Sequence, residues 1–310
     1  MSKRRLGRTD LSIEPMVFGC NVLGWTLPEP DAGTVLDAFV AGGCTAFDTA
    51  DSYGKGVSET ILGNWIKARR NRDKVLVFTK IGSNMGIGDR QRNLSAKWIE
   101  EEVDNSLRRL QTDYIDLYQT HWPDPDTPQE ETLAALDRVV EAGKVRAIGS
   151  SNQDAKLLKE ALTISKQQGI ARYETIQNEF NLYDREGFAA VQDLCVDEDV
   201  SGIGYFSLAR GFLAGKYRTP DDASKSLRGT NAVAKYLNDK GKRILAALDG
   251  IASRTGATQA EIALAWVIAQ PGVGAPIASA TSVEQAQSLV RATQLQLSAN
   301  DLAALTQAGA

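Results

Sequence analysis

The sequence alternates between two kinds of segment. Eight short runs rich in Val, Ile, Tyr and Phe are each followed by a longer stretch whose apolar residues recur at helical spacing. The runs are Met16–Cys20, Ala46–Asp48, Val75–Lys80, Tyr114–Gln119, Val145–Ser150, Thr175–Glu179, Gly202–Phe206 and Gly274–Ile277. Most are apolar on both faces, which is what a strand needs when helices cover both sides of a parallel sheet. Between them, Ile99, Val103, Leu107 and Leu110 define one amphipathic face with Ser95 as its expected N-cap. Gly143 and Gly169 fall where helices should end. Eight β-then-α units in roughly 250 or more residues are the arithmetic of a (β/α)8 barrel. Ahead of them, Leu6, Leu11 and Ile13 flank the turn Gly7-Arg8-Thr9-Asp10, the pattern of a small hairpin. A doubly wound sheet is the competing solution, but its first turn should be glycine-rich and here reads Gly19-Cys20-Asn21-Val22. No linker or fixed-period repeat interrupts the 310 residues, so one domain is expected.

Composition narrows the chemistry. The net charge of −4 favours neither nucleic acid nor an anionic membrane surface as partner. No run approaches the eighteen or so apolar residues of a membrane span. Cys20, Cys44 and Cys195 are scattered, which fits a reducing compartment, and the start lacks the apolar core of a signal peptide. A cytoplasmic, soluble protein is expected. His121 is the single histidine, so a metal site built on two imidazoles is excluded and no metal is expected.

In a barrel the chemistry lies where strands end. The runs end in or carry Asp48, Lys80, His121, Ser151-Asn152, Gln177 and Tyr205, and Tyr53 follows Asp48 in a Tyr-Gly turn. Taken singly, each has an ordinary structural explanation. Together they make an acid. A tyrosine holds its proton at neutral pH, a nearby ammonium such as Lys80 would lower its pKa, and Asp48 would keep that ammonium charged. His121 would hydrogen-bond a carbonyl oxygen or relay a proton. Such a set protonates a carbonyl oxygen while an organic hydride donor reduces its carbon. Two long stretches, Gly82–Leu94 and Ala209–Asp239, follow strands and are expected to lie over the same face.

The motifs FDTADSYGKGVSE, VFTK, YIDLYQTHWPDP, VRAIGSSN, IQNEFNL, YFSLARGFLAGKY and PIASATSVEQ resemble, in order, those of the aldo-keto reductase superfamily. The resemblance runs from about residue 3 to residue 300 and implies a (β/α)8 barrel with a hairpin at its floor. It implies that Asp48, Tyr53, Lys80 and His121 are the catalytic tetrad, with Tyr53 the acid in reduction and the base in oxidation. Ser151, Asn152 and Gln177 fall on residues that hold the nicotinamide carboxamide, and Tyr205 on the aromatic that stacks against the ring. Leu208, Gly211 and Lys216 match the pyrophosphate stretch, and Ser279, Thr281 and Gln285 the adenosine loop. Trp25, Trp122 and Met85 are the implied substrate-pocket walls.

Two departures stand out. Many family members carry a lysine near Ala278 or an arginine near Thr281 or Gln285, paired with the cofactor's 2′-phosphate, and here all three positions are neutral. NADPH is the implied cofactor, with NADH use left open. Phe206-Ser207 stands where Ser-Pro is commoner. The leading expectation is therefore an NAD(P)H-dependent reductase of a small-molecule carbonyl substrate. The alternatives are a cofactor-binding regulatory subunit, as in channel-associated family members, and a lyase using Lys80 as a Schiff-base amine.

Overall fold

Each of the eight apolar runs becomes one parallel strand, and the eight close on one another. The computed structural model describes residues 2–85 and 91–310. Strands β1 (Arg4–Arg5) and β2 (Ser12–Ile13) form an antiparallel hairpin. The barrel follows: β3 (Val17–Gly19), β4 (Ala46–Asp48), β5 (Leu76–Ile81), β6 (Ile115–Thr120), β7 (Val145–Ser151), β8 (Tyr173–Glu179), β9 (Ser201–Tyr205) and β10 (Val273–Ala278). They are hydrogen-bonded in sequence order, and β10 pairs with β3 to close the circle. This is a (β/α)8 barrel with a small antiparallel sheet at its start, as the alternation demanded.

The apolar side chains sort into two cores because strand residues alternate between faces. The larger core lies between sheet and helices and includes Phe18, Phe39, Phe47 and Trp65, whose rings meet edge-on or tilted. The smaller one fills the barrel interior with Val17, Ala46, Phe78, Leu117, Ala147, Ile203 and Ala275. Leu6, Leu11 and Ile13 of the hairpin belong to it, so the hairpin plugs the floor. Two residues further along β4, β5, β6 and β9, on the same inward face, stand Asp48, Lys80, Gln119 and Tyr205. A polar layer thus sits directly on an apolar one, and its depth in the barrel is set by the two-residue period.

Details differ from the sequence reading in instructive ways. Ser95 occupies the N-cap of Ala96–Leu110, yet its hydroxyl donates to Asn93 Oδ1, and Glu131 accepts from the Ala96 amide instead. The stretch 209–239 is not a bare loop: it holds two 3-10 segments, Ala209–Ala214 and Pro220–Lys225, and the helix Gly229–Tyr236. The stretch 82–94 lies partly outside the described residues. Its ends pair at Ser83 and Arg92, and the Arg92 guanidinium lies 4.8 Å from the Trp122 ring centroid.

Candidate active site

The strand ends carry a buried ionic cluster. The Lys80 ammonium has three protons, and each finds an acceptor: Asp48 Oδ1 at 2.5 Å, the Thr49 carbonyl at 2.8 Å and the Tyr53 hydroxyl oxygen at 3.3 Å. Lys80 and Asp48 are 0% and 2% exposed, so the pair is screened from water. Asp48 Oδ2 accepts from Gln177 Nε2 at 2.9 Å and from Gln119 Nε2 at 3.2 Å. Because the Tyr53 oxygen accepts from Lys80, its own proton is directed elsewhere, and Tyr53 lines an open cleft.

Protonation follows from this burial. Burial alone would strip Lys80 of its charge, but Asp48 and Tyr53 outweigh it and raise the ammonium's pKa. A lysine held this way is a poor Schiff-base nucleophile, which removes the physical basis of the lyase reading. The expected lowering of the Tyr53 pKa is not what the surroundings produce. Burial raises it and Asp48 adds to the rise, and together they exceed the opposing pull of Lys80. The phenol therefore keeps its proton, as an acid must. His121 is driven well below its ordinary value by burial, then by the Lys80 and Arg92 charges, so its imidazole is neutral at pH 7. Its ring stands edge-on to Tyr53, 5.7 Å between centroids, and Nδ1 lies 3.4 Å from Ser52 Oγ.

The cleft above this cluster has a volume of about 620 Å³. Tyr53, His121 and Trp122 line one end; Ser279, Thr281 and Gln285 line the other. Ser151, Asn152, Gln177, Tyr205, Leu208, Gly211 and Lys216 line the path between them. Every sequence-predicted cofactor residue is thus on one continuous wall. Trp25 is not on it: 53% exposed, it carries the Arg228 guanidinium 4.8 Å from its ring centroid, and Arg228 lines the cleft. Met85 is half-buried and is likewise not among the lining residues.

The family model that matches this chain is the aldo/keto reductase family, over residues 15–310. The chain belongs to that family. Its relatives include an aldo-keto reductase of Bacillus subtilis, YhdN, 36% identical over 84% of this chain and 77% of that protein. Another is a Schizosaccharomyces pombe aldo-keto reductase, yakc [NADP(+)], 31% identical over 83% and 76% of the two chains. Among solved structures, a thermostable aldo-keto reductase in complex with the inhibitor epalrestat superposes with a TM-score of 0.81, at 29% identity and full coverage of both chains. The barrel described above is therefore that of an oxidoreductase family acting on small-molecule carbonyls.

In this aldo/keto reductase one stretch of the cleft wall has an unusual backbone. Phe206, Ala209 and Arg210 have φ of 50, 46 and 56°, and Gly211 follows at 91°. The run is a tight turn in which the Ala209 and Gly211 amides donate to the Phe206 and Leu208 carbonyls, and such strain gathers at functional sites. Arg210, Lys216 and Arg228 add positive charge to the same wall. Asn152, also left-handed at φ 59°, bonds the His121 carbonyl and Ser151 Oγ and accepts from the Tyr205 hydroxyl. At the far end the Thr281 amide and hydroxyl both donate to Gln285 Oε1, and Ser279 Oγ donates to Asn21. Arg291, the nearest arginine along that helix, is held by Glu261 and Glu284.

Sequence reasoning missed Asn21, Gln119, Arg210 and Arg228. Gln119 had a usable signal, an uncharged polar residue inside the otherwise apolar run before His121. Arg228 lies in a stretch recognised only as long, where no periodicity marks one residue above another.

Proposed function

We propose that this chain, working as one domain in the cytoplasm, reversibly reduces aldehyde or ketone carbonyls to alcohols with NADPH or NADH. The observation that carries the reading is the Tyr53 hydroxyl, held at 3.3 Å by a buried ammonium whose remaining protons go to Asp48 and Thr49. Two observations support a dinucleotide: residues from Tyr53 to Gln285 line one cleft, and three cations, Arg210, Lys216 and Arg228, line it with them. When bound, a reduced nicotinamide supplies the hydride. The protein supplies the proton and the orientation.

Tyr53 gives its proton to the carbonyl oxygen as negative charge develops there. Lys80 stabilises the phenolate that remains, at a buried site where its charge acts with little screening. In the tautomer whose Nδ1 accepts from Ser52, neutral His121 would hydrogen-bond the same oxygen through Nε2–H and fix the substrate beside Tyr53. Ser151, Asn152 and Gln177 would hold the carboxamide, and Tyr205 the ring face. Leu208, Gly211 and Lys216 would hold the pyrophosphate, and Ser279, Thr281 and Gln285 the adenosine side. Trp122 would wall the substrate pocket. Ala278, Thr281 and Gln285 are neutral and Arg291 is held by Glu261 and Glu284, so discrimination between NADPH and NADH is expected to be weak. The test is turnover of a panel of aromatic and aliphatic aldehydes and ketones with each cofactor. Reduction with either supports the reading; no reduction of any member overturns it.

A further inference from the structure

One buried residue of the polar layer has no place yet in this chemistry. Gln119 lies on β6, 0% exposed, and its amide reaches two groups. Its Nε2 donates to Asp48 Oδ2 at 3.2 Å, and its Oε1 accepts from Gln177 Nε2 at 3.3 Å. Beside the carboxylate that pairs with Lys80, both amides can present only their NH2 groups, which fixes their orientation. Gly149, its neighbour on β7, leaves it the room: a Cβ there would stand 3.2 Å from Gln119 Cγ and 2.2 Å from Thr175 Oγ1.

We propose that Gln119 is a positioning residue for the reduction, an amide bridge that fixes the Asp48 carboxylate from the side away from Lys80 and ties it to Gln177. Lys80 can serve Tyr53 only while Asp48 holds it, and Asp48 has one oxygen on Lys80 and the other on the two amides. Without Gln119, Oδ2 keeps only Gln177 as a donor and Gln177 loses one of its two acceptors, so the carboxylate can swing about its Cβ–Cγ bond and carry the ammonium off the phenol. Gln177 is also a proposed carboxamide contact, so the bridge joins cofactor placement to the acid. This inference rests on the reductase reading.

Two variants test it, each compared with wild type for thermal unfolding, cofactor binding and the pH profile of kcat in alcohol oxidation. Gln119→Leu fills the space without the amide. It should lower kcat roughly tenfold to hundredfold, as sub-ångström misplacement does, with cofactor affinity little changed. The limb of the profile that reports ionisation of Tyr53 should move to higher pH. Gln119→Glu, when protonated, still donates to Asp48. It should approach wild type on the acid side and lose activity as pH rises and the two carboxylates come to face each other. A folded Gln119→Leu variant with the wild-type pH profile overturns the proposal, as does a Gln119→Glu variant whose profile parallels that of wild type. If Gln119→Leu prevents folding, Gln119→Glu alone decides. Absence of turnover in wild type would instead sink the reductase reading itself.

Discussion

The two ends of the cleft are built on opposite principles. At the acid end, Asp48, Lys80, Gln119 and Gln177 are buried, sit on strands, and saturate one another with hydrogen bonds. At the end proposed for the adenosine, Thr281 and Gln285 are exposed, lie on a loop and at a helix start, and bond mainly to each other. Chemistry requires fixed geometry, so its residues are placed in the barrel wall. Cofactor selection requires only differential affinity, and a loop provides that.

The contrast predicts large effects at one end and small ones at the other. Tyr53→Phe removes the proton donor and should lower kcat by about 10²–10⁴ while cofactor binding stays close to wild type, measured by fluorescence titration. Unchanged turnover would remove Tyr53 from its role. Lys80→Met should both slow reduction and destabilise the fold by about 3–5 kcal/mol, because it leaves Asp48 buried without its cation. Chemical denaturation measures this, and an unchanged midpoint would contradict a buried pair. At the other end, Gln285→Arg places a cation at a position that is neutral in wild type. It should shift the NADPH to NADH ratio of kcat/KM by roughly tenfold with little loss of stability, a charge-assisted bond's worth. No shift would mean that the adenosine lies elsewhere.

A last effect concerns a group near the acid end that takes no part in it. Asp51 is 0% exposed, and no side chain hydrogen-bonds either of its carboxyl oxygens among the described residues. Burial raises its pKa well above the ordinary value, and Glu59 and Glu102 add to the rise. The unfolded chain releases this proton near pH 4; the folded chain retains it. The unfolded state therefore binds fewer protons, and wild type loses stability as pH rises from about 4 toward the raised folded value. Asp51→Asn should flatten that slope, so the Tm difference between variant and wild type grows in the variant's favour from pH 4 to 8. Parallel Tm curves would show that Asp51 is charged in the fold.

The same contrast explains what the sequence made legible. The barrel was readable because alternation of strand and helix is a long-range pattern, and β4 runs from Ala46 to Asp48 as read. The acid end was readable because Asp48, Lys80 and His121 are conspicuous at the ends of apolar runs. What escaped was geometry that no run of letters carries. The direction of the Tyr53 shift depends on how burial compares with the Lys80 charge, and that needs coordinates. The stacking of Trp25 with Arg228, some two hundred residues away, likewise needs coordinates. Arg291 could have answered for the 2′-phosphate until its pairing with Glu261 and Glu284 was seen.

The central claim is that Tyr53, held by Lys80, protonates a carbonyl while a nicotinamide reduces it. It is tested most directly by a single turnover in the stopped flow. Wild type is premixed with NADPH or with NADH and mixed with a reactive aromatic aldehyde, and the nicotinamide absorbance is followed. The account predicts loss of that absorbance in one phase with at least one cofactor, and a far slower phase in Tyr53→Phe. An absorbance that persists with both cofactors, under conditions where binding is saturated, would contradict it.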